Sequence, residues 1–262
     1  MIETRQQKLY WGTIISAILV TVGLWQVPYG DFILWPLTIL GTWVHEMGHG
    51  LMAKLWGHEF VRLEIFNNGG GVAYHRGSSG RIGSAMISAA GLLGPAFAGS
   101  LLILFGKKEK NARKILHVLG AIMALSVLLY VRNTWYGYVM VSLWTVVLIA
   151  AAVKASDRIC YFFVQFLGVH FCINNFKDFD YMFSKGFYRA GLWMDSDTGK
   201  IAENLFLPYW FWGALIALTS LAMLGASLWF ANSSGTSASP TTPKDPAKLS
   251  PKKIDDILSE LS

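Results

Sequence analysis

Residues Phe32–Trp56 read FILWPLTILGTWVHEMGHGLMAKLW. This run is long enough to cross a hydrocarbon core about 30 Å thick, which takes about 20 helical residues. Inside it stand His45, Glu46 and His49. Charged groups at mid-span cost about 2.5–3.5 kcal/mol each on insertion scales. Three ionisable residues so close together therefore need a common partner. In a helix, positions i and i+4 share a face, so His45 and His49 project their imidazoles side by side.

Outward from this run the chain keeps the same character. Hydrophobic residues make up 53% of the 262 and charged residues 15%. An ordinary soluble domain carries about 25% charged residues. The low charge argues against a soluble enzyme, a disordered chain and a nucleic-acid-binding domain. The net charge of +6 does not reverse this, because the basic residues are scattered in short loops between apolar runs, as membrane-flanking charge is. Only Lys107–Lys114 forms a cluster, and it contains Glu109.

Further apolar runs span Leu9–Val27, Ile82–Phe105, Ile115–Val131, Trp135–Val153, Ile159–Phe176 and Leu205–Phe230. The first is too long for a signal-peptide core of about 7–15 residues, and no small-residue cleavage site follows it. Pro28-Tyr29-Gly30-Asp31 reads as a tight turn, and Gly94-Pro95 as a kink. Trp135, Tyr136, Tyr209, Trp210 and Trp212 sit near run ends, where an interfacial aromatic belt belongs. Cys160 and Cys172 read as packing residues of one helix, about 18 Å apart and too far for a disulfide.

The segment from His58 to Gly80 breaks the helical pattern. Val61, Leu63 and Ile65 alternate with Arg62 and Glu64, Asn67-Asn68-Gly69-Gly70-Gly71 is a strong turn signal, and Val72 and Tyr74 resume the alternation. The expected fold is an all-α polytopic membrane protein of about six to seven transmembrane helices, with a β-hairpin inserted between the second and third. Residues 1–231 form the membrane-embedded domain. Residues 232–262 turn to Ser, Thr, Pro, Ala and Lys and read as a flexible polar tail ending in a short amphipathic helix (Ile254, Ile257, Leu258, Leu261).

His45-Glu46-Met47-Gly48-His49 is an H-E-x-x-H motif. Two imidazoles one turn apart hold one Zn²⁺, and the intervening carboxylate stands where it can accept a proton from water at the metal. A catalytic zinc has three protein ligands, so a third must come from elsewhere. His58 lies nine residues past His49, but its spacing fits the soluble-protease pattern poorly. His75, His117 and His170 read as packed or interfacial residues. The sixth run ends Ile173-Asn174-Asn175-Phe176-Lys177-Asp178-Phe179-Asp180. Asp178 is one turn past Asn174 and is the leading third ligand, with Asp180 the alternative. Asn174 is a candidate donor to a developing oxyanion.

HEMGH in a span, NNGGGVAYHRG in the hairpin and SAAGLLGPAFAG in the next span together resemble the site-2-protease family of intramembrane zinc metallopeptidases, in particular its small B-like branch. The resemblance covers roughly Leu37–Met223. It implies one catalytic Zn²⁺ held by His45 and His49, Glu46 as catalytic base, and a third ligand from an Asp on a later span, which maps best onto Asp178. Where better-known members carry N-x-x-P-x-x-x-L-D-G, this chain has NNFKDFDY. Asp195-Ser196-Asp197-Thr198-Gly199 resembles a polar stretch of the same branch, and helix N-capping is its plain reading.

The expected activity is zinc-dependent hydrolysis of peptide bonds in membrane-spanning or membrane-adjacent protein substrates. The expected setting is the bilayer of a bacterial-type plasma membrane, with no nucleic-acid partner. The alternative is a zinc-binding, non-proteolytic scaffold or chaperone of the same fold. A transporter would spread polar residues over several spans, whereas here they concentrate at one place.

Overall fold

The computed structural model describes residues 5–174, 176, 179–189 and 191–233. Asp178 and the tail from residue 234 lie outside the described residues. The chain begins with α1 (Arg5–Trp25) and α2 (Gly30–Leu55). These two helices meet at 119°. Tyr29 turns the corner in the left-handed region (φ 65°), and a Cβ on Gly30 would collide with the Leu24 carbonyl. Only glycine fits so close to another backbone.

Strands β1 (Glu59–Ile65) and β2 (Gly71–Arg76) follow and pair antiparallel. A register shift between Phe60 and Arg62 breaks the simple alternation. It puts Phe60 on the buried side along with Leu63 and Ile65, while Val61 is only half-buried. The outer edge of β1 is covered: Leu63 N–H donates to the Tyr130 carbonyl (2.8 Å), and Arg132 N–H donates to the Leu63 carbonyl (3.2 Å). The opposite edge of the sheet belongs to β2.

Helices α3 (Gly80–Gly106), α4 (Glu109–Leu129), α5 (Trp135–Lys154) and α6 (Asp157–Asn174) come next. The chain ends with short α7 (Phe179–Met182), strands β3 (Gly186–Arg189) and β4 (Leu192–Asp195), α8 (Asp197–Asn204) and α9 (Tyr209–Ser233). The antiparallel β3–β4 pair has no counterpart in the sequence reading.

Four described helices are long and apolar enough to cross a membrane: Gly80–Gly106, Glu109–Leu129, Trp135–Lys154 and Tyr209–Asn232. The bent pair Tyr10–Trp25 and Gly30–Leu55 raises this to five when taken as one broken span. The sequence expectation of six to seven treats α1, α2 and α6 as separate spans. The bend between the first two and the composition of α6 account for the difference. Helix α6 carries Asp157, Arg158, Gln165 and His170 within 18 residues, and most of it is buried.

The outer helices turn apolar side chains outward: Val118, Ile122 and Leu125 on α4, Val139, Leu143 and Val146 on α5, Leu215, Leu218 and Leu221 on α9. That is the reverse of a water-soluble surface and suits lipid. The core lies where α2, α3 and α6 meet, around Ile39, Leu40, Ile103, Leu167 and Phe171. Small residues let these helices touch. A Cβ on Gly48 would strike the Ala90 carbonyl of α3, and one on Gly99 would strike the Gly168 carbonyl of α6. Trp43 Nε1 donates to Ser126 Oγ (2.9 Å) and ties α2 to α4. Cys160 and Cys172 are buried and unpaired with each other.

A candidate metal centre between two cavities

The motif lies within α2, whose helical spacing sets His45 and His49 on one face. His45 Nε2 and His49 Nε2 stand 3.0 Å apart. Into the same space comes Asp197, from a different part of the chain. Its Oδ2 is 3.2 Å from His45 Nε2 and 3.3 Å from His49 Nε2. Asp197 is 2% exposed. Among the described residues these are the three groups placed to share a metal ion.

The triangle fits the donor geometry of zinc. Ligand atoms about 2.0–2.1 Å from a tetrahedral ion stand about 3.3 Å apart. The tautomer fits as well. His49 Nδ1 lies 2.8 Å from the Ile87 carbonyl, which can only accept, so Nδ1 carries the proton and Nε2 presents its lone pair. Gly91 leaves the room for this ring, since a Cβ there would fall on His49 Nε2.

Asp197 is the first residue of α8. Ser196 caps that helix, its Oγ accepting from Gly199 N–H (3.0 Å) and donating to the Ser184 carbonyl (2.6 Å). Thr198 Oγ1 donates to the Met182 carbonyl (3.0 Å). The carboxylate thus sits at the positive end of a helix. Burial pushes the Asp197 carboxyl up, but the two neighbouring imidazoles, His49 above all, and Lys200 outweigh it. The group is held well below the usual carboxylate range, and so is ionised as a ligand must be. Tyr181 touches it twice: the phenol donates to Oδ2 (3.1 Å) and accepts from Asp197 N–H (3.3 Å). Burial first, and then the Asp197 charge, pushes the Tyr181 phenol above its ordinary range, so it keeps its proton.

Glu46 is 6% exposed and borders two cavities of about 500 and 420 Å³. The larger is walled by Trp35, Leu92, Pro95, Phe187 and Tyr188 together with the backbone of Gly69–Gly71. The smaller is more hydrophilic, with Ser84, Ser88, His75, Lys200 and Asn204. His45, Glu46, Gly71, Tyr181 and Phe187 line both. The hairpin is held over α2 by Thr42 Oγ1, which donates to the Gly69 carbonyl (2.6 Å).

The chain scan against family models finds Peptidase M50B-like, matching residues 14–227. The chain belongs to this family. That agrees with the site-2-protease resemblance of its motifs. No curated protein and no solved structure matches the chain.

Within this M50B-like chain, His45, His49 and Glu46 share one place. Asn174 joins them: it is buried, lines the larger cavity, and its Oδ1 has no hydrogen-bond partner among the described residues. Asp178 lies outside the described residues. Asp180 is exposed on α7. Among the described residues the carboxylate at the two histidines is Asp197, which the sequence reading treated as part of a capping stretch. Its signal was present: an Asp directly after a Ser cap, in a stretch resembling the same branch. His58 and His75 bond each other through Nδ1 atoms 2.9 Å apart, outside the triangle. His117 is exposed on α4.

Proposed function

We propose that this chain is an integral-membrane zinc metalloprotease that hydrolyses peptide bonds of membrane-spanning or membrane-adjacent proteins. The observation that carries this reading is the His45–His49–Asp197 triangle with buried Glu46 beside it, facing two open cavities. His45, His49 and Asp197 would hold the ion. Zinc, when bound, supplies Lewis acidity that polarises a carbonyl and makes water nucleophilic near neutral pH.

The protein residues do the rest. Glu46 takes the proton of the attacking water on its carboxylate and returns it to the leaving amide nitrogen. Asn174 turns its amide N–H toward the developing oxyanion. A helical substrate must be unwound before its backbone can be reached. With β1 covered on its outer side, the edge of β2 (Gly71, Val72, Ala73, His75) borders the cavities and offers backbone groups to an extended peptide. The hydrophilic cavity admits water, and the aromatic one admits the peptide.

We also count α6 as a span. A helix surrounded by protein need not be apolar on every face, so its hydropathy understates its depth. The plasma membrane of a bacterial-type cell is the proposed location.

The test uses protein purified in detergent, metal analysis and cleavage of a model transmembrane peptide. Wild type should hold one zinc and cleave. Glu46→Gln should keep the zinc and lose cleavage. A Glu46→Gln protein that cleaves at the wild-type rate refutes the enzyme reading. A wild type that binds zinc and cleaves nothing supports the scaffold alternative.

A further inference from the structure

Tyr181 does more than line a cavity. Its single phenolic proton goes to Asp197 Oδ2, the oxygen that faces both imidazoles, and its oxygen accepts the Asp197 backbone N–H. One hydroxyl therefore fixes residue 197 at both its main chain and its side chain. The N–H it satisfies belongs to a fully buried residue at the start of a helix, where no intrahelical acceptor exists. The ring is placed by Phe187, whose centroid lies 5.8 Å away, and it stands between the two cavities beside Glu46.

We infer that Tyr181 is the positioning residue of the third metal ligand, holding Asp197 Oδ2 against the two histidine nitrogens. The inference rests on the metal centre proposed above and adds a residue that no motif in the sequence marks. A carboxylate has several rotamers and two oxygens, and at the end of a short helix it has freedom to leave the triangle. Lys200 Nζ, 3.6 Å from Oδ1, reaches the other oxygen through an exposed side chain. The phenol is the rigid partner. Groups of this kind, bonded to a ligand rather than to the metal, typically contribute 10–100-fold in metal affinity.

The test is zinc affinity, measured by competition with a chromophoric chelator on full-length protein in detergent. Tyr181→Phe keeps the ring and removes only the hydroxyl. Its zinc dissociation constant should rise about 10–100-fold. The visible spectrum of the cobalt-substituted variant should shift, reporting a changed ligand field. An unchanged dissociation constant and an unchanged cobalt spectrum overturn the inference. If Tyr181→Phe fails to fold, fluorotyrosine at 181 keeps the packing and alters only the donor strength. An altered zinc affinity then supports the role, and an unaltered one overturns it. A wild-type protein that binds no zinc defeats the metal centre itself. Normal zinc binding in wild type and variant alike defeats only the role of Tyr181.

Discussion

Gly71→Ala should separate the catalytic base from the metal. Gly71 begins β2 and lies directly over Glu46. A Cβ built there stands 2.6 Å from Glu46 Cγ, 2.8 Å from Glu46 Oε1 and 2.9 Å from Thr42 Cγ2. Ordinary contact begins near 3.5 Å, so a neighbour must retreat by about 0.6–0.9 Å. The strand cannot easily yield, because Gly71 pairs with Ile65 of β1 and the turn before it is tied to Thr42. The Glu46 side chain is the freer element and should take up the shift. A displacement of about 1 Å in a reacting group can lower the rate about 100-fold. We expect kcat to fall about 10–100-fold, equivalent to about 1.4–2.7 kcal/mol in the barrier. Zinc content should stay at the wild-type level, since the new methyl's nearest neighbours do not include His45, His49 or Asp197. Global unfolding is not the expected cause, because alanine in a strand is more stable than glycine by about 0.5–1 kcal/mol. The assay is paired: metal analysis and peptide cleavage on the same preparation. Full activity would refute the placement of Glu46 as base. Loss of zinc along with activity would refute the claim that the base and the ligands are held independently.

Three more substitutions address the ligands and the room around them. Asp197→Asn should release zinc on dialysis against a chelator, while Asp178→Asn should retain it; the opposite pattern would make Asp178 the third ligand. Gly91→Ala should drive a methyl into the His49 ring and raise the zinc dissociation constant more than tenfold, a larger loss than the second-partner effect of about 10–100-fold only if the ring leaves the site altogether.

The parts of this molecule that were legible in the sequence are those governed by local periodicity. His45 and His49 share a face because they are one turn apart, whatever surrounds them. The strands around Asn67–Gly71 show in their alternation, although the register shift at Phe60 changes which residues face inward. The carboxylate that the structure brings to the two histidines obeys no local rule. Asp197 is 152 positions from His45 and reaches it only because α8 packs on α3 and α9. Helix α6 is not among the helices apolar enough to cross a membrane, and its buried faces carry Gln165 and His170. The strands β3 and β4 are four residues each, too short for alternation to be distinguished from chance.

The way Asp197 is delivered also divides the labour at the site. Glu46 comes to the site from inside the apolar run of α2 and borders both cavities. Asp197 reaches the same point from a helix start outside the long apolar segments, where the dipole and Lys200 offset its charge. The chain between Tyr181 and Asp197 is closed at its neck. Ser196 N–H donates to the Lys185 carbonyl (3.0 Å), and Ser196 Oγ donates to the Ser184 carbonyl. Everything between, the β3–β4 hairpin included, is an excursion that leaves and returns at one pinned point. Phe187 and Tyr188 on that hairpin wall the larger cavity. Phe187 also packs on Tyr181, whose phenol bonds Asp197, so the wall of the larger cavity and the carboxylate are joined through one ring.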